Sequence, residues 1–315
     1  MNPGTKIFVA GHSGMVGSAI VRALRALGAT NILVRSSSEL DLRCQQAVFE
    51  FFERERPEMV LLAAARVGGI LANAQRPGDF LYDNLMISAN VIRAAHLSGV
   101  RRLVYLGSSC IYPREAPQPM REEYLLTGPL EETNEGYSVA KIAGVKMCEV
   151  FNRQFGTDYV SVMPCNLYGD NDNYDDVESH VIPGMLQRMH KAKISGNREV
   201  VCWGTGTPLR EFLFVDDVAQ ACVLLLERQV QGGIVNVGSG QEVTIRDLAV
   251  KIAHVVGFTG DIEFDPSKPD GVRRKLLDSS RMRQTGWTPK VSLDEGLRRA
   301  YRSYVSSLSR TGKDR

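Results

Sequence analysis

Tyr137-Ser138-Val139-Ala140-Lys141 sets a phenol and an ammonium four residues apart. On a helix, residues i and i+4 share a face, so the two groups project together. An ammonium beside a phenol favours the phenolate and prepares Tyr137 to exchange a proton near neutral pH. Upstream, Gly107-Ser108-Ser109-Cys110 places a hydroxyl and a thiol two positions apart. If a strand stays extended through them, they share one face. Ser108 then orients a carbonyl oxygen beside Tyr137, with Cys110 against the carbon skeleton. The plain alternative for Cys110 is an inert buried thiol. His180, in Ser179-His180-Val181-Ile182-Pro183, adds an imidazole. A lone histidine is more often a structural or surface residue than a catalytic one, and here Ser179 could be a helix cap with His180 merely adjacent.

Gly11-His12-Ser13-Gly14-Met15-Val16-Gly17 follows an apolar run and opens a helical pattern. Glycines there permit a tight strand-to-helix turn and a close approach of the backbone to a pyrophosphate, whose charge suits a helix N-terminus. Gly17 is expected to let the helix pack close to the sheet. The alternative is a glycine-rich turn with no ligand. The second strand ends Leu33-Val34-Arg35-Ser36-Ser37, with no carboxylate to receive a ribose 2′-hydroxyl. Arg35 would attract a 2′-phosphate, so the expected cofactor is NADP(H). Asp41 and Leu42 are placed at the border of the adenine.

The elements that must position these groups alternate strand and helix. Strands are expected at Lys6–Ala10, Asn31–Arg35, Glu58–Ala65, Arg102–Gly107 and Tyr159–Pro164. Helices are expected at Gly14–Leu27, Gln45–Arg56, Asp79–Leu97 and Tyr137–Phe155. This order predicts an α/β fold: a Rossmann-type doubly wound parallel sheet covered on both faces. After Gly169 the pattern changes. An acidic loop, Gly169–Ser179, precedes helices at Val181–Lys193, Asp216–Glu227, Ile245–Val256 and Leu293–Val305, mixed with short strands. Asp265–Arg274 reads as a turn-rich loop, and the tail from Ser306 as frayed. The expected division is a cofactor domain of residues 1–169 plus about 212–240, and a smaller α/β substrate lobe of 170–211 and 241–315.

The chain has 315 residues, of which 43% are apolar and 23% charged. That is enough to bury a core without disulfides or metals. Lys plus Arg total 38 against 36 acidic residues, so the net charge of +2 gives no support for nucleic-acid binding. No apolar run spans a membrane, and the N-terminus lacks the order of a secretory signal. The six cysteines form no Cys-x-x-Cys pair, so no metal site is expected and a reduced, cytoplasmic enzyme is.

Together these residues resemble the extended short-chain dehydrogenase/reductase superfamily. More closely the chain resembles the GDP-L-fucose synthase family within it. The resemblance runs nearly the full length and rests on AGHSGMVGSAI, LAAARVGGI, GSSCIYP, YSVAKIAG, NLYG, SHVIPG, REFLFVDD and KPDGVRRKLLD. It implies epimerisation of GDP-4-keto-6-deoxy-D-mannose at C3 and C5, then reduction of the C4 ketone with NADPH. It implies Cys110 as base, His180 as acid, and Ser108, Tyr137 and Lys141 at the carbonyl. Ala63, Ala64, Ala65, Leu106, Gly107, Pro164, Asn166, Leu167 and His180 would join the glycine turn around the cofactor. Arg188, Trp203, Arg210 and Asp278 would contact the substrate, and a homodimer would form through the helices at Asp79–Leu97 and Tyr137–Phe155.

The chain departs from the family pattern at Ser13, where many relatives carry Arg, at Gly136, and at Cys165, which replaces a frequent Thr. Asp170, Asp172, Asp175, Asp176 and Glu178 make the loop before His180 unusually acidic. The alternatives are a GDP-colitose synthase, a simple nucleotide-sugar reductase or 4-epimerase, and a non-enzymatic cofactor-binding scaffold.

Overall fold

A computed structural model describes residues 1–175, 179–230, 233–268 and 270–311. Its first part runs β1 (Ile7–Ala10), α1 (Met15–Ala26), β2 (Ile32–Leu33), α2 (Gln45–Glu55), β3 (Met59–Leu62), α3 (Ile70–Gln75), α4 (Pro77–Leu97), β4 (Arg102–Leu106), α5 (Glu135–Phe155) and β5 (Asp158–Pro164). The second part runs β6 (Asn166–Tyr168), α6 (Val181–Ser195), β7 (Glu199–Trp203), β8 (Leu209–Phe214), α7 (Val215–Leu225) and β9 (Ile234–Val237). It finishes with β10 (Glu242–Thr244), α8 (Ile245–Val256), β11 (Asp261–Asp265), β12 (Arg274–Lys275), α9 (Ser280–Gln284) and α10 (Leu293–Thr311).

Six parallel strands form the main sheet in the order β2-β1-β3-β4-β5-β9. Every residue of β1 and β3 is buried. Continuous apolar strands of this kind are what a parallel sheet covered on both faces requires. The chain places β2 on one side of β1 and β3 on the other. Ligands bind beyond the carboxyl ends at such a reversal.

The two parts are interleaved. β6 leaves the end of β5 and pairs with β8, which also pairs with β10 and β12. The chain then returns through α7, packed on α1, to insert β9 beside β5. Buried carboxylates fasten the parts. Glu211 of β8 accepts from the backbone N–H of Gly240 at 2.6 Å and of Leu277 at 3.0 Å. Asp217 of α7 accepts from Lys290 N and Val291 N, both at 3.0 Å. Such bonds repay part of the penalty of removing a charge from water.

Several expected boundaries move. The second strand shrinks from Asn31–Arg35 to two residues, because it is the sheet edge and pairs with β1 alone. Ala63–Ala65 leave the third strand to line the cofactor turn. α3 was not expected; its six residues are too short for a periodic signal. Asp265 and Arg274, read as loop ends, belong to β11 and β12. The tail does not fray at Ser306, because α10 continues to Thr311 after burying Leu297, Ala300 and Tyr304 on one face. Asp176 and Glu178 of the acidic loop lie outside the described residues, as does Pro269. Among the described residues no helix is long and apolar enough to cross a membrane, and no cluster suits a metal.

Candidate active site

β1 ends in a turn built on glycine. Gly11 has φ +83°, and a Cβ there would lie 2.7 Å from the Ala64 backbone after β3. A Cβ on Gly17 would run into the Gly11 carbonyl. Gly17 therefore lets α1 close on the turn itself, where the expectation was close packing on the sheet. Gly14 N donates to Gly11 O at 3.1 Å, and no side chain caps α1. The first N–H groups of α1, with Ser13, Met15 and Val16 beside them, have no side-chain cap and form a cradle that suits a pyrophosphate. His12 Nδ1 is buried there without a partner among the described residues.

The 2′ end of this cradle is occupied by the protein's own acids. Arg35 pairs with Glu55 at 3.0 Å and lies 5.4 Å over the Phe51 ring. Ser36 donates from both N and Oγ to Glu39, each at 2.7 Å. These bonds hold Glu39 below the usual carboxylate range. The sequence showed no acid at the end of the second strand, yet the turn brings Glu39 back to it. A bound 2′-phosphate would compete with Glu39 for the Ser36 donors. Asp41 pairs with Arg43 at 2.9 Å, and Leu42 packs on the core.

β4 ends at Leu106, and Gly107 leaves room for the Met163 side chain. The strand does not continue through Cys110. Ser108 is extended, and residues 109–111 then form a 3₁₀ turn with Ser108 Oγ accepting from Cys110 N at 3.3 Å. The hydroxyl and thiol are thus placed by a turn and not by strand alternation. Ser138 of α5 fixes that turn by donating to the Cys110 carbonyl at 3.0 Å. Sequence reasoning missed Ser138, although it lies inside the Tyr–Lys motif.

Lys141 donates to the Leu106 carbonyl at 2.8 Å, with its Nζ 5.7 Å from the Tyr137 ring centre. The expected lowering of the Tyr137 pKa is reversed. Burial pushes it well above its ordinary value, and the Ser108 hydroxyl offsets only part of this. Tyr137 is therefore a held proton donor at neutral pH. Burial depresses Lys141 from 10.5 to about 8.

That depression has a sign. Between about 8 and 10.5 the unfolded lysine binds a proton that the folded one has released, so stability rises with pH across this window. Below it the full penalty applies, about 3 kcal/mol. Lys141→Met should therefore raise the stability of the cofactor-free protein at pH 7 by about 1–2 kcal/mol, after losing one hydrogen bond. Turnover should fall at the same time. Chemical denaturation at pH 7 checks this, and a variant less stable than wild type would refute it.

His180 immediately precedes α6, and its carbonyl accepts from Gly184 N at 3.0 Å. The residue keeps much of its surface exposed, but burial around its imidazole and then the Lys275 ammonium lower its pKa. Pro164 closes β5, Leu167 follows in β6, and Asn166 between them donates to the Glu211 carbonyl at 3.1 Å.

The remaining expected residues lie in the second part of the chain. Arg188 on α6 keeps its Nε buried and unpartnered among the described residues. Trp203 ends β7 with 46% of its surface exposed, available to pack on a flat ring. Arg210 on β8 donates to the carbonyls of Leu209 at 2.9 Å and Asp270 at 3.1 Å. Asp278 accepts from Ser280 N at 2.9 Å and faces Arg121 at 3.6 Å. Lys275, also unforeseen, stands within electrostatic reach of Cys110, His180 and Arg210. Only the pairing of β12 with β8 turns it toward them.

The chain was compared with known proteins. The model of the NAD dependent epimerase/dehydratase family matches residues 7–238. GDP-L-fucose synthase 1 of Arabidopsis thaliana is 55% identical over 303 residues, covering 96% of this chain and 94% of the relative. GDP-L-fucose synthase of Escherichia coli K12 is 51% identical over 314 residues, covering 97% and 98%. The structure of MlghC, a GDP-mannoheptose C4 reductase from Campylobacter jejuni with NADP bound, superposes with a TM-score of 0.88. It is 36% identical and covers 97% of this chain and 99% of that one.

Proposed function

This chain belongs to the NAD dependent epimerase/dehydratase family, and from that premise we propose that it is an NADPH-dependent enzyme that converts GDP-4-keto-6-deoxy-D-mannose to GDP-L-fucose. The observation that carries this reading is the thiol. Cys110 sits in the turn whose first residue is Ser108, beside Tyr137 and Lys141. A simple reductase needs the last three and has no use for the first.

A ketone at C4 acidifies the protons on C3 and C5. Cys110 removes each proton, and His180 returns one to the opposite face. The hydroxyls of Ser108 and Tyr137 hydrogen-bond the enolate oxygen as charge develops on it. Gly11–Gly17 and Lys141 would hold NADPH, which when bound would supply a hydride for the final reduction at C4. Tyr137 then gives its proton to the C4 oxygen. Arg188, Arg210, Trp203 and Asp278 hold the GDP moiety. One carbonyl site thus serves both inversions and the reduction.

The reading extends to assembly. α4 and α5 pack together and expose Tyr82, Leu85 and Val139, an apolar surface that suits a two-fold helix interface. The cysteines are all free thiols, which suits a cytoplasmic protein. The same reading divides the chain into a cofactor domain carrying the six-stranded sheet and a smaller substrate lobe, with β6 and β8 paired at their junction.

The test is incubation of the enzyme with GDP-4-keto-6-deoxy-D-mannose and NADPH, with the product identified by NMR. In deuterated water without NADPH, deuterium should enter C3 and C5. A product reduced at C4 with neither centre inverted would overturn the reading.

A further inference from the structure

We infer that the ring of Tyr105 is a positioning group for Lys141, holding its ammonium charged and in place beside Tyr137. This rests on the reading that Lys141 works as a cation during the reduction. Lys141 is 2% exposed, and its Nζ lies 5.0 Å from the centre of the Tyr105 ring on β4. The negative face of an aromatic ring attracts a cation at this range, more strongly where water is excluded. Leu106, the next residue of β4, accepts from the same Nζ at 2.8 Å. One strand thus supplies both a carbonyl and a π face.

Among the described residues no carboxylate is bonded to this ammonium. The groups that face it are Tyr105 from β4, Tyr137 from its own helix at 5.7 Å, and the Cys110 thiol from the 3₁₀ turn. Burial raises the pKa of both phenols, so neither offers a negative charge at neutral pH. A cation taken from water without a counter-ion sheds its proton readily. Lys141 is already lowered to about 8. A modest change in the ring beside it therefore decides its charge near neutral pH.

Tyr105 is itself fixed from three sides. It is completely buried, and its hydroxyl lies 3.1 Å from Ser88 Oγ of α4. A Cβ on Gly144 of α5 would lie 2.4 Å from the Tyr105 Oη, so glycine opens the notch that the ring fills. Gly144 follows Lys141 by three residues and shares its helix face. The same stretch of α5 that carries the ammonium thus seats the ring against it.

The test places phenylalanine, 3,5-difluorophenylalanine and 3,4,5-trifluorophenylalanine at position 105 by nonsense suppression. Tyr105→Phe keeps the ring face and is the reference. Fluorine withdraws charge from that face with little change of shape, so the neutral amine is favoured. Two quantities are read in the full-length protein. One is the titration of Lys141, followed by NMR with carbon-13 at the lysine Cε. The other is the alkaline limb of kcat for reduction with NADPH. From phenylalanine to the trifluoro ring both should move down by about 0.5–1 pH unit, and kcat at about pH 8.5 should fall about 3- to 8-fold. The unfolding midpoint should not follow the fluorine order, as it would if the ring only filled space. A Lys141 titration that is the same across the series would overturn the inference. A limb that stays fixed while the titration moves would overturn it too, because the ammonium would then not govern reduction. A titration that moves in a protein unable to reduce GDP-4-keto-6-deoxy-D-mannose would defeat the substrate reading alone and leave the hold of Tyr105 on Lys141 standing.

Discussion

Tyr137→Phe should lower kcat for reduction by about 100- to 10,000-fold, the range of a lost general acid. NADPH affinity should change little, because the ring and its packing remain. The reason for so large an effect is burial. Tyr137 keeps its proton at neutral pH, with the Ser108 hydroxyl bonded to it. Single-turnover mixing with NADPH, followed at the nicotinamide absorbance, separates binding from chemistry. Reduction at more than a tenth of the wild-type rate would remove Tyr137 from the proton-donor role. Deuterium exchange at C3 and C5 should persist in this variant at a reduced rate, since Ser108 still reaches the enolate oxygen.

Cys110→Ser should produce the complementary defect. A serine hydroxyl in the same turn ionises far less readily than a thiol and so offers almost none of the anionic base, and exchange at C3 and C5 should fall by about 100-fold or more. The backbone should be undisturbed, because the turn is held through the Cys110 N–H to Ser108 and the Cys110 carbonyl to Ser138. Neither bond uses the sulfur. The reducing apparatus stays intact, so prolonged incubation should yield sugar reduced at C4 without inversion. Wild-type yields of GDP-L-fucose from this variant would end the assignment of Cys110 as base. The pair of variants divides the reaction at its one shared carbonyl: one stops inversion and the other stops reduction.

Much of this arrangement was legible in the residues. The buried apolar runs and the helical patterns between them identified the parallel sheet, because only a strand covered on both faces is apolar throughout. The glycine turn was legible for a similarly local reason. Gly11 and Gly17 answer clashes between atoms a few residues apart or on the adjoining strand. Tyr137 and Lys141 are one helical turn apart, and their common face follows from the helix alone.

What was missed depends on contacts distant in sequence. Ser108 and Cys110 were expected on one strand face and lie instead in a turn, because whether a strand ends at Leu106 or Cys110 is decided by packing on Met163 and α5. Arg35 carries a charge that suits a 2′-phosphate, but Glu55 lies twenty residues away and its approach follows from the packing of α2 on the sheet. Lys275 sits among three consecutive cationic residues, Arg273, Arg274 and Lys275, and nothing local distinguishes it. Its register beside Arg210 does.

The sequence by itself determined the fold class, the cofactor turn and the chemical types of the reacting groups, since propensity, periodicity and short-range sterics act between near neighbours. The tertiary structure alone decided the protonation of those groups and the direction of their charges. Tyr137 was expected to lose its proton more easily beside Lys141, and enclosure made it hold that proton instead. Desolvation depends on every atom packed around a group, and those atoms come from all parts of the chain.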